Sequence, residues 1–383
     1  MRTIYLDNNA TTPVLPAVFE AMRPFLTEHF GNPSSPHHMG DKPASAIRDA
    51  RVKVASLLGC ADTEIVFTSC GTESNNIAIR GTLEMNRERR HIITTAVEHS
   101  AVLNPVKRYA SLGCDVTVLA VDRAGRLSLD ALRDALRDDT ALVSVMFANN
   151  ETGVIFPIDR IAEIAHARGV PVHVDAVQGA GKVPMDVKTL GADFVALSGH
   201  KLHGPKGVGA LYIRKGTKWA PVFLGGSQER GRRPGTENAA GIVALGAACE
   251  HGAQTLVRYH SDVRALRDRL EKELLARVTD SFVNGVASER LPHTSNIGFL
   301  GIDGNAMLVL LDEVGICVSA GSACKSGAGL PSHVLGAMGL SPEEAASCLR
   351  FSLSSLTTPA DIDACLEHVP AIVERMRRNF ISA

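Results

Sequence analysis

From residue 65 to residue 213, short runs of β-branched residues alternate with amphipathic segments. Runs such as 64–68, 141–146 and 193–197 place apolar residues on both faces, which is typical of strands that helices cover on both sides. Segments such as 159–168 have the apolar spacing of the intervening helices. The alternation therefore predicts an α/β fold built around a largely parallel sheet.

The rhythm changes near His260. A long charged amphipathic helix is predicted over 259–278, and the following residues mix strands with helices up to a last helix over 359–378. Since 383 residues exceed what one compact core usually accommodates, we interpret this C-terminal part as a second, smaller α+β domain.

Composition argues against several classes of function. The formal net charge is −1, so nothing suggests a basic face that would bind nucleic acid. No apolar run approaches the roughly 20 residues of a membrane helix, and the first residues lack the pattern of a signal peptide. We therefore expect no membrane contact and a cytoplasmic location. The eight cysteines include no C-x-x-C pair and are expected to be reduced thiols.

Polar residues follow the predicted strands. In an open α/β sheet the ligand crevice lies beyond the carboxyl ends of the strands, where side chains from several strands converge. Such residues follow five predicted strands here: Gly71 and Thr72, Glu98 and His99, Asn149 and Asn150, Asp175 and Gln178, and Ser198, Gly199, His200 and Lys201. The pattern predicts a binding site at this edge, although ordinary turns also favour Gly, Asn, Asp and Ser.

Lys201 and Asp175 carry the most specific chemistry at this edge. A lysine that condenses with an aldehyde must be desolvated or pushed toward neutrality, because a pKa of about 10.4 leaves it charged at pH 7. A carboxylate at the floor of the crevice can keep a pyridine nitrogen protonated, which makes the ring an electron sink. An Asp at one strand end and Ser-x-His-Lys at a later one resemble the layout of fold-type-I pyridoxal-phosphate enzymes. A solvated loop lysine and a buried structural aspartate are the alternatives.

Gly71 and Thr72 lie at the start of a predicted helix. The N–H groups and the dipole of a helix N-terminus favour an anion such as a phosphate. Ser198 and His200 could add further donors to that phosphate. Helix capping alone would also explain Thr72 followed by Glu73.

Four further side chains could complete the site. His99 can stack on a cofactor ring and move protons, and Gln178 could donate to a phenolic oxygen of the ring. Asn150 and Arg350 could hold a substrate carboxylate, the arginine bidentately. Arg350 would bring the C-terminal region into the site. The alternatives are a histidine at a helix N-terminus without a ligand and a surface arginine.

Cys324 lies in a stretch of small residues, 318–329, whose three glycines predict a loop. A thiol with a pKa near 8.5 is only about 3% thiolate at pH 7, and the adjacent Lys325 would raise that fraction. A structural cysteine would normally lie among large apolar residues, and Cys324 does not. We therefore interpret Cys324 as a candidate nucleophile.

Several motifs together resemble the cysteine desulfurases of the class V aminotransferase superfamily, in order along essentially the whole chain. They are 5–12 (YLDNNATT), 31–35 (GNPSS), 149–153 (NNETG), 198–201 (SGHK) and 322–324 (SAC). In addition, residues 228–238 (QERGRRPGTEN) resemble the nitrogen-fixation, NifS-like branch more than the housekeeping branch.

The resemblance implies a fold-type-I pyridoxal-phosphate transferase with a mainly parallel seven-stranded sheet in its large domain. It implies a large cofactor-binding domain over 16–259, and a small domain formed by 1–15 and 260–383 that carries the cysteine loop. It also implies a homodimer with two sites at the subunit interface.

Residue roles follow from the same resemblance. The implied ligands of pyridoxal 5′-phosphate are Gly71, Thr72, Asp175, Gln178, Ser198, His200, Lys201 as the Schiff-base lysine, and Thr236 from the other subunit. The implied substrate-binding residues are Asn150 and Arg350, and the implied catalytic residues are Cys324, Lys201 and His99.

The implied reaction converts L-cysteine to L-alanine and leaves the sulfur on Cys324 as a persulfide. An iron–sulfur scaffold or another acceptor protein would then receive the sulfur, with nitrogenase clusters as one destination. No intrinsic metal is expected, although Cys324 could transiently ligate an iron–sulfur cluster.

Three alternatives stay open from the sequence. One is another pyridoxal-phosphate reaction, such as selenocysteine lysis or transamination. The second is a non-catalytic partner of iron–sulfur assembly, and the third is a zinc hydrolase with metal at His200 and His203.

Overall fold

The structure, a computed structural model, describes residues 2–320 and 332–381. Its strands are β1 (Ile4–Tyr5), β2 (Ile65–Thr68), β3 (His91–Thr95), β4 (Asp115–Leu119), β5 (Thr140–Met146), β6 (Val172–Asp175), β7 (Phe194–Ser198), β8 (Gly209–Ile213), β9 (Ser281–Val283), β10 (Thr294–Phe299), β11 (Ile316–Cys317) and β12 (Cys348–Ser352). Seven of them form one sheet in the order β2-β8-β7-β6-β5-β3-β4. The predicted α/β fold with a mainly parallel seven-stranded sheet is confirmed.

The direction of the strands decides where the site can lie. Strands β4, β3, β5, β6 and β7 are parallel, and β8 is antiparallel to both β7 and β2. Strand β2 therefore points the same way as the parallel strands. The carboxyl ends of β2, β3, β5, β6 and β7 consequently share one edge of the sheet, where the predicted site residues follow them.

Helices cover the sheet and connect its strands. They are α1 (Pro16–Met22), α2 (Pro24–Thr27), α3 (His38–Leu58), α4 (Gly71–Met85), α5 (Ser100–Ala110), α6 (Leu129–Ala135), α7 (Ile158–His166), α8 (Val187–Leu190), α9 (Ala239–Arg258), α10 (Arg264–Arg277), α11 (Gly304–Glu313), α12 (His333–Ala337), α13 (Pro342–Ala346) and α14 (Pro359–Ile381). Helix α4 packs against β5, β6, β7 and β8. In the portion of the chain that the structure describes, none of the helices has the length and apolar character needed to cross a bilayer.

A second, smaller sheet lies in the C-terminal region, with the antiparallel order β12-β10-β9. Its apolar cluster includes Leu270, Met307 and Val369 from helices α10, α11 and α14. Ile4 and Leu6 belong to the same cluster, because β1 pairs in parallel with β11. The N-terminal strand therefore stabilises the C-terminal region rather than the large sheet.

The helix predicted over 259–278 is the second half of a longer helical run. Helices α9 and α10 are joined by a π turn at Tyr259–Val263. The first half escaped prediction because it is rich in Gly and Ala and packs these small residues closely against α3, so it lacks a broad polar face.

Candidate active site

A cavity of about 570 Å³ lies at the shared carboxyl edge of the strands. The structure brings most of the predicted site residues together in its wall: Gly71, Thr72, His99, Asn150, Asp175, Gln178, Ser198, His200, Lys201 and Arg350. Their convergence from five strand ends and from the C-terminal region is the arrangement that the sequence pattern predicted.

Lys201 reaches the cavity from a short 3₁₀ turn, Gly199–Lys201, directly after β7. Its Nζ donates to the backbone oxygen of Asn9 and, at 2.6 Å, to that of Ala10. Two carbonyls of the N-terminal segment thus hold the amine at the cavity wall. The N-terminal segment is therefore part of the site and not a separate arm.

Asp175 ends β6 and is buried at the cavity floor. Its Oδ1 accepts from the backbone N–H of Val177 at 3.1 Å, and its Oδ2 accepts from Asn75 Nδ2 at 2.7 Å. Burial raises the pKa of Asp175, while His99, these hydrogen bonds and Lys201 oppose that rise. A cationic group placed above the carboxylate would therefore favour its ionised form.

A line of donors inside the protein ends at this carboxylate. Ser144 Oγ lies 2.8 Å from His173 Nδ1, and His173 Nε2 lies 3.1 Å from Asn75 Oδ1. Burial lowers the pKa of His173 to about 3, so its ring is neutral. Because Asn75 presents its amide nitrogen to Asp175, its oxygen accepts from His173 Nε2–H, and Ser144 then donates to Nδ1. In each of these three hydrogen bonds the donor is on the side away from Asp175 and the acceptor is on the side toward it.

The start of helix α4, which lines the cavity, suits a phosphate. Helix α4 begins at Gly71, and its N-cap residue, Cys70, makes no side-chain cap hydrogen bond. A Cβ atom on Gly71 would meet Val177 Cγ2 at 2.6 Å, so only glycine fits there. Ser198 and His200 lie on the same wall. The uncapped N–H groups of a 15-residue helix and the adjacent polar side chains together form an anion site.

His99 is the N-cap of α5, and its Nδ1 accepts from the backbone N–H of Ala101 at 3.1 Å. Burial lowers its pKa, Asp175 opposes that shift, and Lys201 and His333 add to it. In the neutral ring the remaining proton is on Nε2, because Nδ1 is used as the acceptor. His99 is thus a fixed neutral ring at the cavity wall, which suits stacking on an aromatic cofactor.

Arg350 is buried, in contrast to the surface arginine that was the alternative. Its Nη2 pairs with Asp7 Oδ1 at 2.7 Å, and its Nη1 donates to the backbone oxygen of Asn150 at 3.1 Å. A guanidinium that is held on one side by a carboxylate and faces a cavity on the other can bind a second carboxylate.

Two predicted site residues are not brought into the cavity of this chain. Thr236 lies in a different pocket, beside Phe67, Thr68 and Ser69. Cys324 lies outside the residues that the structure describes, 2–320 and 332–381.

The zinc alternative finds no support in the described geometry. His200 Nδ1 contacts Thr11 Oγ1 at 3.1 Å, whereas His203 Nδ1 contacts the backbone oxygen of Pro13 at 3.1 Å. Among residues 2–320 and 332–381, no group of three or more His, Cys, Asp and Glu side chains is arranged to hold a metal ion.

Sequence reasoning missed several residues that shape the site: Asn9, Asn75, His173, Lys182 and His333. Gln178 Nε2 donates to Asn9 O at 3.0 Å, and the Asn9 amide donates to Thr294 Oγ1 at 2.9 Å. Lys182 is buried, which lowers its pKa to about 7, and its Nζ donates to Gln178 Oε1 at 3.4 Å. The Gly-Ala-Gly-Lys stretch at 179–182 was the one feature that could have drawn attention to Lys182, but it lacks the spacing of a phosphate loop.

Comparisons with known proteins agree with this geometry. The family model for aminotransferase class-V matches residues 4–365. A cysteine desulfurase of Trichormus azollae is 53% identical over 380 residues, which cover 98% of this chain and 94% of the relative. The cysteine desulfurase NifS of Azotobacter vinelandii is 51% identical over 378 residues, with the same two coverages.

A solved structure titled as a NifS-like protein superposes with a TM-score of 0.91 at 38% identity, covering 97% of this chain and all of that one. Members of this family depend on pyridoxal phosphate, and the cavity offers an amine, a buried carboxylate and an anion site that fit such a cofactor. The chain belongs to the aminotransferase class-V family and, within it, to the pyridoxal-phosphate-dependent cysteine desulfurases.

Proposed function

We propose that this chain removes sulfur from L-cysteine in the cavity described above, with Lys201 carrying the cofactor and Cys324 receiving the sulfur. The observation that carries the proposal is that Lys201, Asp175 and Arg350 all line the same cavity. An amine, an acid and a guanidinium in one cavity match the needs of an amino-acid substrate and an aldehyde cofactor.

Three features of the site would hold the cofactor. Lys201 would bind the aldehyde carbon, Asp175 would pair with the ring nitrogen, and the start of α4 with Ser198 and His200 would bind the phosphate. Gln178 would contact the phenolic oxygen and His99 the ring face. When bound, pyridoxal phosphate supplies an electron sink for charge that develops at the substrate α-carbon.

Arg350 and Asn150 would orient the substrate. Arg350 lies at the cavity with Asp7 fixing its far side, so an incoming carboxylate meets a guanidinium already in place. A substrate held in this way would have its α-carbon on the side of the cavity that Lys201 lines, and the Lys201 amine would accept the α-proton. Fixing both partners in advance lowers the entropic part of the barrier.

Cys324 would attack the substrate sulfur as a thiolate and retain it as a persulfide. This role is supported by the Ser-Ala-Cys motif at 322–324. The described residues on either side of the undescribed segment also contact the cavity walls. The backbones of Ser319 and Arg350 exchange two hydrogen bonds, and Ser332 Oγ donates to Glu151 at 2.5 Å.

Further parts of the account are proposals as well. We propose a homodimer in which Thr236 serves the cavity of the other subunit, since it lies away from the cavity of its own chain. We also propose a division into a domain of 16–259 and a domain of 1–15 with 260–383. A cytoplasmic location and sulfur delivery to an iron–sulfur scaffold, for nitrogenase or for general use, complete the proposal.

Alanine formation from L-cysteine tests the reaction. The wild-type protein should release alanine, and Lys201→Ala should lose activity by more than about 10⁴-fold, because both the covalent anchor and the base are removed. Cys324→Ser should lose alanine formation yet keep the visible absorbance of the bound cofactor.

Cys317→Ser provides the matched control. Cys317 is a partly exposed cysteine only seven residues earlier in the chain, and it does not line the cavity. We expect it to retain alanine formation. Full activity of Cys324→Ser would contradict the assignment of the nucleophile.

A further inference from the structure

Lys182 is a buried lysine that has no part in the reaction proposed above. It ends the Gly-Ala-Gly-Lys stretch at 179–182, and the two glycines explain its burial. A Cβ atom on Gly179 would meet Phe147 Cδ1 at 2.3 Å, and Gly181 has a φ of 68°, in the left-handed region. The stretch therefore packs closely against the core, and this packing takes the lysine out of water.

The amine of Lys182 contacts the side chain of Gln178, four residues earlier. Lys182 Nζ donates to Gln178 Oε1 at 3.4 Å, and Gln178 Nε2 donates to the backbone oxygen of Asn9 at 3.0 Å. A charged lysine amine only donates and a backbone oxygen only accepts, so both neighbours favour the same orientation of the amide. Turned by 180°, the amide would set oxygen against oxygen and nitrogen against nitrogen. Lys182 thus helps to fix which end of the amide faces Asn9.

This orientation matters because Gln178 lines the cavity. Its Nε2 has two N–H groups, and Asn9 accepts from one of them. The backbone oxygen of Asn9 also accepts from Lys201 Nζ, so Gln178 Nε2 lies beside the Lys201 amine at the cavity wall. The second N–H has no acceptor in the part of the chain that the structure describes. A ligand oxygen in the cavity would supply that acceptor.

The charges around Lys182 also favour an anion in the cavity. Burial, and after it the positive charges of Lys201 and Arg350, lower the pKa of Lys182 to about 7. Among residues 2–320 and 332–381, no acidic group opposes that shift. An anionic ligand near Gln178 would therefore stabilise the charged form of Lys182. Three histidines whose pKa values its charge helps to lower, and which stay neutral at pH 7, complete the surroundings: His200, His203 and His293.

We propose that Lys182 is a positioning residue that acts through Gln178 on an anionic oxygen of the bound cofactor. It holds the amide with an N–H for that oxygen and adds positive charge behind the amide. The inference rests on the proposed function, because pyridoxal phosphate has such an oxygen on its ring, the phenolic one. Lys182 forms no bond to the cofactor, and the Schiff base stays with Lys201.

Lys182→Met is the main test, because methionine keeps a long side chain but has neither a donor nor a charge. The apoenzyme is titrated with pyridoxal 5′-phosphate and, in parallel, with 3-deoxypyridoxal 5′-phosphate, which lacks the ring oxygen. We expect Kd for the first to rise about tenfold, as for the loss of a hydrogen bond to a charged group. Kd for the second should stay within about twofold of the wild-type value. Lys182→Leu, a second variant without the amine, should give the same pattern.

A Gln178→Ala background tests whether the effect passes through the amide. In that background Lys182→Met should change Kd for pyridoxal phosphate by less than about twofold, because the group on which it acts is gone. A general loosening of the site would instead add to the effect of Gln178→Ala. Lys188→Met is the matched control, since Lys188 is an exposed lysine six residues later in the chain. It should bind both cofactors as wild type does.

Two results would overturn the inference: equal losses of affinity for the two cofactors in Lys182→Met, or an undiminished effect of Lys182→Met in the Gln178→Ala enzyme. The proposed function fails by a different result. Wild-type protein that binds pyridoxal phosphate but forms no alanine from L-cysteine would defeat that function, and the two titrations would still decide the role of Lys182.

Discussion

The two halves of the cavity are held in place by different kinds of contact. The cofactor half, which we define as Asn75, Asp175 and Lys201, rests on strand ends of one sheet and on helix α4. A line of side-chain hydrogen bonds leads from β5 and β6 through Asn75 to Asp175. The substrate half, defined as Asp7, Asn150 and Arg350, joins segments that are far apart in the chain. Strand order and helix α4 therefore position Asn75 and Asp175, and the N-terminal segment also contacts Lys201 through the carbonyls of Asn9 and Ala10. The second half depends throughout on the docking of the C-terminal region and the N-terminal strand.

Among the variants that separate the two halves, Arg350→Ala in the substrate half should lose the most activity. The change removes the guanidinium for the substrate and leaves Asp7 without its ion pair. We expect kcat/KM for L-cysteine to fall about 10²–10³-fold, the range for truncating a buried hydrogen-bonded charge, with the bound cofactor retained. Steady-state kinetics and the visible spectrum of the purified variant measure the two quantities.

Arg123→Ala is the matched control for Arg350→Ala, because Arg123 forms an exposed pair with Glu344. Exposed pairs contribute about 0–1 kcal/mol, so this variant should behave as wild type. Loss of cofactor from Arg350→Ala would show that the two halves are not separable.

A smaller effect, confined to the cofactor half, is expected from Asn75→Ala. The variant removes the donor to Asp175 and the acceptor of His173 Nε2–H. We expect the dissociation constant of pyridoxal phosphate to rise about tenfold, in keeping with about 1–3 kcal/mol for an unsatisfied buried group, while KM for L-cysteine changes little. Titration of the apoenzyme with the cofactor measures the change.

Asn76→Ala is the control for this prediction. Asn76 is the next residue on α4, and its amide bonds only the exposed backbone oxygen of Thr72 in the described contacts. An Asn75→Ala enzyme with normal cofactor affinity but a raised KM would reverse the assignment of Asn75 to the cofactor half.

The smallest effect concerns Glu98, a buried residue whose backbone oxygen lies 3.0 Å from His333 Nε2. Burial raises the pKa of its carboxyl from 4.5 to about 8. Between those values the folded state binds more protons than the unfolded state, so stability falls as the pH rises, by up to about 1.4 kcal/mol per unit.

Glu98→Gln should flatten that decline, because glutamine does not titrate. Denaturant unfolding at pH 5, 6, 7 and 8 gives the slope for each protein. Parallel slopes for wild type and Glu98→Gln would show that the Glu98 carboxyl is ionised in the folded protein throughout this range.

The sequence was informative where local pattern determines position. Lys201 and Asp175 could be predicted because each directly ends or follows a buried strand, and all parallel strands deliver their ends to one edge. The start of α4 was predicted within one residue for the same reason. Such features depend on residues that are neighbours in the chain.

The sequence was uninformative where contacts depend on long-range register. Asn9 meets Gln178 and Thr294 only after the N-terminal strand docks, and His333 meets Glu98 across 235 residues. No periodicity encodes such contacts. Lys182 had a visible pattern, but its burial beside Gln178 follows from packing and not from the motif.

Reductive trapping tests the central claim most directly, because two lysines compete for it. Lys201 lines the cavity, while Lys182 is also buried and its pKa is lowered to about 7 by that burial. Borohydride treatment of the purified enzyme followed by peptide mass spectrometry identifies the amine that carries the cofactor. We predict the pyridoxyl group on Lys201, and less of it when L-cysteine is added before reduction. The group on Lys182, or on no lysine, would contradict the account.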